Sequence, residues 1–184
     1  MNESYLHENH YQSDVRKMAM ASLFAALIAV GAFIRIPIPI SPVPVTLQVL
    51  FIFLAGAMLG ARWGLVSVIV YLLLGIVGLP VFSGGSSGIG VLLGPTGGYL
   101  VGFAVAALVI GAFSEKLGTS SVLKNAVFMF AGLLIIYFFG ATYLMYVAQI
   151  SMDSAIVLGV LPYLPGDLLK LALSSFIVAK YPVE

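Results

Sequence analysis

The sequence predicts an all-α polytopic membrane protein, a six-transmembrane-helix bundle with both termini cytoplasmic. Three observations predict it. Of 184 residues, 61% are hydrophobic and 8% are charged, against about 45–50% and about 25% in soluble domains. The apolar residues also fall into uncharged runs long enough for hydrocarbon, which takes about 20 residues of helix per crossing. Finally, six crossings with the N-terminus inside put Arg16, Lys17, Arg62, Lys116, Lys124 and Lys180 on the cytoplasmic side, where Lys and Arg accumulate. Only Arg35 and Lys170 fall on the other side.

Each element follows in order. Residues 1–17 are polar, carry both signs of charge and include His7 and His10, so they read as a cytoplasmic tail. The membrane domain is 18–180, and 181–184 is a short C-terminal tail. Residues 18–34 are uncharged and form the first span. The acidic residues before it and the lack of a small-x-small site after it favour a retained span over a cleaved signal peptide. Pro37, Pro39, Pro42 and Pro44 make the next stretch an extended connector, since each removes a donor and pushes its predecessor out of helix. A second span at 44–61 closes at Arg62. The uncharged run Trp63–Ser114 is too long for one crossing and divides at the Gly/Ser loop 81–90 into spans at 62–79 and 95–113. The run 125–152 gives the fifth. The sixth is interrupted by Pro162 and Pro165, with helix expected from Gly166 to Ala179.

Composition excludes several functions. A net charge of +1 offers no basic field for nucleic acid. Zero Cys removes thiolate catalysis, disulfides and Cys-based zinc sites, and both His lie in the tail, so no metal or haem site is expected in the membrane. There is no phosphate-loop motif and no soluble stretch able to hold an ATPase domain. Nor is there a Ser-His-Asp set, a paired-carboxylate site or an HExxH helix.

The strongest local signal is Leu161-Pro-Tyr-Leu-Pro-Gly-Asp-Leu-Leu-Lys170. Asp167 and Lys170 are three apart and share a helix face. Ionisable residues inside a span usually face a cavity or a partner. The plainer reading is that Asp167 complements the helix dipole and Lys170 neutralises it. In the Gly/Ser loop, Phe82, Ser83, Gly84 and Gly85 offer an aromatic wall and close backbone approach, or simply a flexible connector. Gln48 has to find a partner in lipid, either a neighbouring helix or a ligand. Tyr99 and Tyr163 read as interfacial anchors or as ligand walls. The ladders Gly56-Gly60-Gly64 and Gly94-Gly98-Gly102-Ala106 read as internal packing. A stripe of Ser22, Ala25, Ala29 and Ala32 on the first span allows close approach of another backbone, in this chain or in a partner.

Four blocks in this order resemble the BioY family: Pro42-Val-Pro-Val-Thr-Leu-Gln48, Gly78-Leu-Pro-Val-Phe82, Gly94-Pro-Thr-Gly-Gly-Tyr-Leu-Val-Gly-Phe103 and Leu164-Pro-Gly-Asp-Leu-Leu-Lys170. That family comprises the biotin-specific substrate-binding S components of energy-coupling factor (ECF) transporters. The resemblance implies a six-helix fold in a prokaryotic plasma membrane, with biotin captured at the outer face and no catalysis or cofactor of its own. It also implies a coupling subunit and two ATPase subunits that hydrolyse ATP for it. Its binding Asp and Lys match Asp167 and Lys170. Its coupling motif A-x-x-x-A matches Ala21-x-x-x-Ala25 and Ala25-x-x-x-Ala29. The alternatives are a solitary biotin facilitator and an intramembrane enzyme.

Overall fold

The computed structural model describes residues 3–181, with side chains from residue 14 onward. The His7 and His10 side chains and residues 182–184 lie outside that description. Uncharged segments in hydrocarbon have to satisfy their peptide groups internally, and helices do this within a single segment. Among the described residues seven α-helices form: α1 (Glu3–Phe33), α2 (Gln48–Ile76), α3 (Ile89–Leu93), α4 (Gly97–Leu117), α5 (Val122–Ala148), α6 (Met152–Gly159) and α7 (Leu164–Lys180). The apolar part of α1 is Asp14–Phe33. Its helix runs back into the segment 1–17 read as a tail, because helical pairing need not stop where hydrocarbon does.

α2 is a hairpin of two arms. Gly60 has φ 79° and ψ −179°, a backbone region essentially confined to glycine. Gln48 donates to the Tyr71 hydroxyl at 2.7 Å, although the two are 23 residues apart. A straight helix would hold them about 35 Å apart. The arms, 48–59 and 61–76, are the expected second and third spans, and the turn falls beside Arg62 as expected. Gly64 packs on Gly56 across the hairpin, and Gly56 in turn meets Ala107 and Ile110 of α4. Gly98 and Gly102 pack on α5 at Phe139, Tyr143 and Ile136. Both ladders therefore serve internal packing.

α5 stops earlier than expected, at Ala148, where Gln149 turns left-handed with φ 53°. Ser151 then caps α6 by accepting the Ser154 N–H at 3.3 Å. The uncharged run concealed this turn, because Gln and Ser interrupt a helix without adding charge. α6 and α7 meet at 57°, with Pro165 in the first turn of α7. Among the described residues four helices are long and apolar enough to cross a membrane, or five with α6–α7 as one broken span. With the two arms of α2 counted separately and the short α3 set aside, the bundle has six helical segments in the expected order.

The proline connector is more ordered than an extended strap. β1 (Arg35–Ile36) and β2 (Val45–Thr46) pair antiparallel, Arg35 opposite Thr46, which closes residues 37–44 into a loop. The Leu47 N–H donates to Gly31 and Ile34 carbonyls at 3.1 Å, tying this loop back to α1. The first α2 arm is only about 18 Å long, against a hydrocarbon layer of about 30 Å. Loop fills the rest of that position, and irregular backbone at such depth is tolerated only where protein buries it or a cavity adjoins it. Here a cavity does.

Candidate functional site

The cavity is about 220 Å³. It lies among the first α2 arm, α4, α5 and the α6–α7 junction, beneath the loop 37–44 and the loop after α2. Its wall is largely apolar, with Val49, Val91, Leu100, Phe103 and Ile136. Phe82 is 1% exposed, lines the cavity and stands edge-on to Tyr71 with ring centroids 5.5 Å apart.

Asp167 reaches this wall from the first turn of α7. It is 4% exposed, so its charge has to be compensated within the protein. One carboxylate oxygen accepts from Lys170 Nζ at 2.7 Å, and the other accepts from the Tyr137 hydroxyl at 2.7 Å. An ionised carboxylate has about four lone-pair sites, so each oxygen retains acceptor capacity towards the cavity. Lys170 is not part of the lining. It sits one helical turn behind Asp167 and serves as its counter-ion.

Gln48 lines the cavity and also bonds Tyr71 on the other arm of α2. Its oxygen accepts from Thr46 at 3.2 Å, while its Nε2 gives one hydrogen to Tyr71 and keeps a second. Tyr99 and Tyr163 are 7% and 5% exposed, so neither is an interfacial anchor. The Tyr99 hydroxyl donates to the Gly159 carbonyl at 2.7 Å, fixing α4 to α6. The Tyr163 hydroxyl donates to the Val43 carbonyl and stands 2.6 Å from Ser41 Oγ, fastening the proline loop to the α6–α7 junction. Ser83 lines the cavity, and its Oγ is buried without a hydrogen-bond partner. Gly84 and Gly85 do not line it. They form the tight turn Ser83–Gly85 behind Ser83.

Sequence reasoning missed two lining residues with chemistry. Tyr137 sits in mid-α5, where a hydroxyl in an uncharged span was itself a signal of a buried partner. Arg35 appeared only as an exception to the charge asymmetry, and it lies at the cavity.

The small-residue stripe on α1 needs correction. Ala21 and Ala25 are each 2% exposed and Ala32 is 0% exposed within this chain, and Ala25 belongs to its main apolar core. Ala29 is half-buried. These small residues allow α2 to approach α1, so Ala21 and Ala25 are not free for a partner. The small residues that face outward are Ala19, Ser22 and Ala26.

The BioY family model matches residues 3–183. A relative from Thermotoga maritima, named Biotin transporter BioY, is 45% identical over 167 residues, covering 90% of this chain and 95% of its own. Another from Pyrococcus horikoshii, named Probable biotin transporter BioY, is 40% identical over 165 residues, 90% of this chain and 95% of its own. The crystal structure, at 2.1 Å, of the S-component for biotin from an ECF-type ABC transporter superposes with a TM-score of 0.86. It is 32% identical and covers 92% of each chain.

Proposed function

The chain belongs to the BioY family, and on that premise we propose that it is a biotin-binding S component that captures biotin in this cavity and delivers it for ATP-driven uptake. The observation that carries the reading is Asp167, a buried carboxylate held between Lys170 and Tyr137 in the wall of a mostly apolar cavity. Biotin offers complementary chemistry: a ureido group with two N–H donors and one carbonyl, an apolar bicycle and chain, and a terminal carboxylate. Asp167 accepts from a ureido N–H, with its charge held in place by Lys170. The spare hydrogen of Gln48 Nε2 suits the ureido oxygen. Phe82, Tyr99 and Tyr163 supply the wall for the bicycle.

This chemistry binds without turnover, so the chain is not an enzyme and needs no cofactor. Calorimetric titration of the detergent-purified protein tests the reading. Biotin should bind at one site per chain and thiamine should give no heat. Absence of biotin binding, or equal binding of both, would refute it.

The chain has no ATP-binding motif, so uphill transport needs energy from outside it. A transmembrane coupling subunit and two ATPase subunits supply that energy in the plasma membrane of a prokaryote. The docking face on α1 is the outward line Ser22, Ala26 and half-buried Ala29, whose spacing of four and three keeps it on one side of the helix. Small residues there let another backbone come close. Ala26→Trp should abolish co-purification with the coupling subunit and leave biotin binding intact. Ala25→Trp should instead overpack the core and destabilise the isolated chain by about 1–3 kcal/mol or more. Unchanged co-purification of Ala26→Trp would move the docking face elsewhere.

A further inference from the structure

Arg35 lies on the cavity, on the side of the bundle where the charge asymmetry expects no Arg. Three observations bear on its role. Its guanidinium rests on the backbone of Gly84, where an added Cβ would fall on it. Gly84 itself has φ 76°, so this turn both requires glycine and seats the arginine. Among the described residues the only salt bridge is Lys170–Asp167, so no carboxylate among them neutralises Arg35. Next to Gly84, Ser83 Oγ faces a cavity it lines, buried and without a hydrogen-bond partner.

Charge accounting points the same way. Arg35 and Asp167 are the ionised residues of the wall, and Lys170 stands behind Asp167. Lys170 cancels Asp167, which leaves the cavity one net positive charge, at Arg35. Arg35 is exposed and solvated in the free protein, so it needs no counter-ion there; its charge at the cavity complements a monoanionic ligand better than a neutral one. Position matters as well. Asp167 and Tyr137 come from α7 and α5, whereas Arg35 comes from β1 at the foot of the proline loop and Ser83 from the loop after α2. The two charged side chains of the wall thus come from different elements, with Gln48, Thr46 and Thr96 as further polar groups in a largely apolar lining.

We propose that Arg35 and Ser83 form a carboxylate subsite at the mouth of the cavity, taking the acid end of the ligand while Asp167 takes its N–H end. The proposal rests on the biotin reading and assigns its second half. The guanidinium gives a charge-assisted hydrogen bond to a carboxylate oxygen, and the Ser83 hydroxyl gives a neutral one. Gly84 is a positioning residue, because any side chain there would lift Arg35 from its seat.

The test pairs two ligands with two forms of the full-length protein in detergent. Biotin and biotinamide, which differ only in carboxylate against carboxamide, are titrated into the parent and into Arg35→Gln. The parent should bind biotin at least about ten-fold tighter than biotinamide, about 1.4 kcal/mol. Arg35→Gln should lose that factor for biotin and leave biotinamide unchanged, bringing the ratio near one. Equal losses for both ligands would make Arg35 a structural residue, and unchanged biotin affinity would remove it from the site. Should Arg35→Gln not fold, equal affinity of the parent for both ligands suffices to overturn the subsite while leaving biotin capture standing. A parent that binds neither ligand overturns biotin capture itself and the subsite with it.

Discussion

The two ends of the bundle use similar polar residues in different ways. At the end holding Gly60, side chains bond mainly with backbone. Glu115 accepts the Ala61 N–H at 3.0 Å, and Asn125 Nδ2 donates to the Thr119 and Ser175 carbonyls at 2.8 and 3.3 Å. None of these residues lines the cavity. At the other end, side chains bond side chains as well as backbone: Asp167 with Lys170 and Tyr137, Gln48 with Tyr71 and Thr46, Tyr163 with Ser41, beside the Tyr99 and Tyr163 bonds to the Gly159 and Val43 carbonyls. A side chain that closes a backbone turn holds the fold together. Spare capacity exists at both ends, since Asn125 Oδ1 is buried without a partner; what distinguishes Asp167, with one bond per oxygen, and Gln48, with a free hydrogen, is that theirs lies on the cavity. The closed end sets stability, and the open end combines stability with recognition.

Three substitutions break or sharpen that contrast. The largest effect is expected at the open end, where Lys170→Met leaves a buried carboxylate without its counter-ion. Loss of one member of a buried pair costs about 3–5 kcal/mol, so thermal unfolding in detergent should fall sharply and biotin affinity should fall with it. A variant as stable as the parent would mean that Asp167 does not need its counter-ion. Next is Gly60→Ala, which forces a Cβ into a glycine-only conformation and onto Glu115. It should cost about 1–3 kcal/mol of stability with biotin affinity unchanged, and a loss of affinity would show that the ends are coupled. The smallest is Tyr137→Phe, which removes one hydrogen bond to a charged group, worth about 1.5–3 kcal/mol when both partners are in place. Lys170 remains to hold Asp167, so the lower figure is expected, and it should appear mostly as weaker biotin binding. If Tyr137→Phe shifts only the unfolding temperature, the tyrosine belongs with the closed-end residues.

The closed end was the more legible of the two in the sequence. Arg62 marked the α2 hairpin because a charge cannot sit in mid-span, and the glycine ladders marked close packing by their spacing. The open end was legible in residues but not in directions. Asp167 and Lys170 were plainly on one face, yet spacing does not say which faces the cavity and which stands behind. The β1–β2 pairing is two residues per strand, too short to leave any alternation in a proline-rich stretch. On α1, periodicity identified a small-residue face while leaving open whose backbone it meets; α2 of the same chain takes Ala21 and Ala25. Tyr137 was lost in an apolar run because a tyrosine is counted as hydrophobic until its hydroxyl is asked for a partner.

The central claim is that the Asp167 carboxylate reads the ligand, and calorimetric titration of Asp167→Asn with biotin tests it most directly. The substitution keeps size and polarity and removes the charged acceptor. Affinity should fall by about 1.5–3 kcal/mol in a protein that still purifies as a folded monodisperse species. Biotin binding at the parent's affinity would contradict the claim and reduce Asp167, Lys170 and Tyr137 to a structural cluster beside an unrelated cavity.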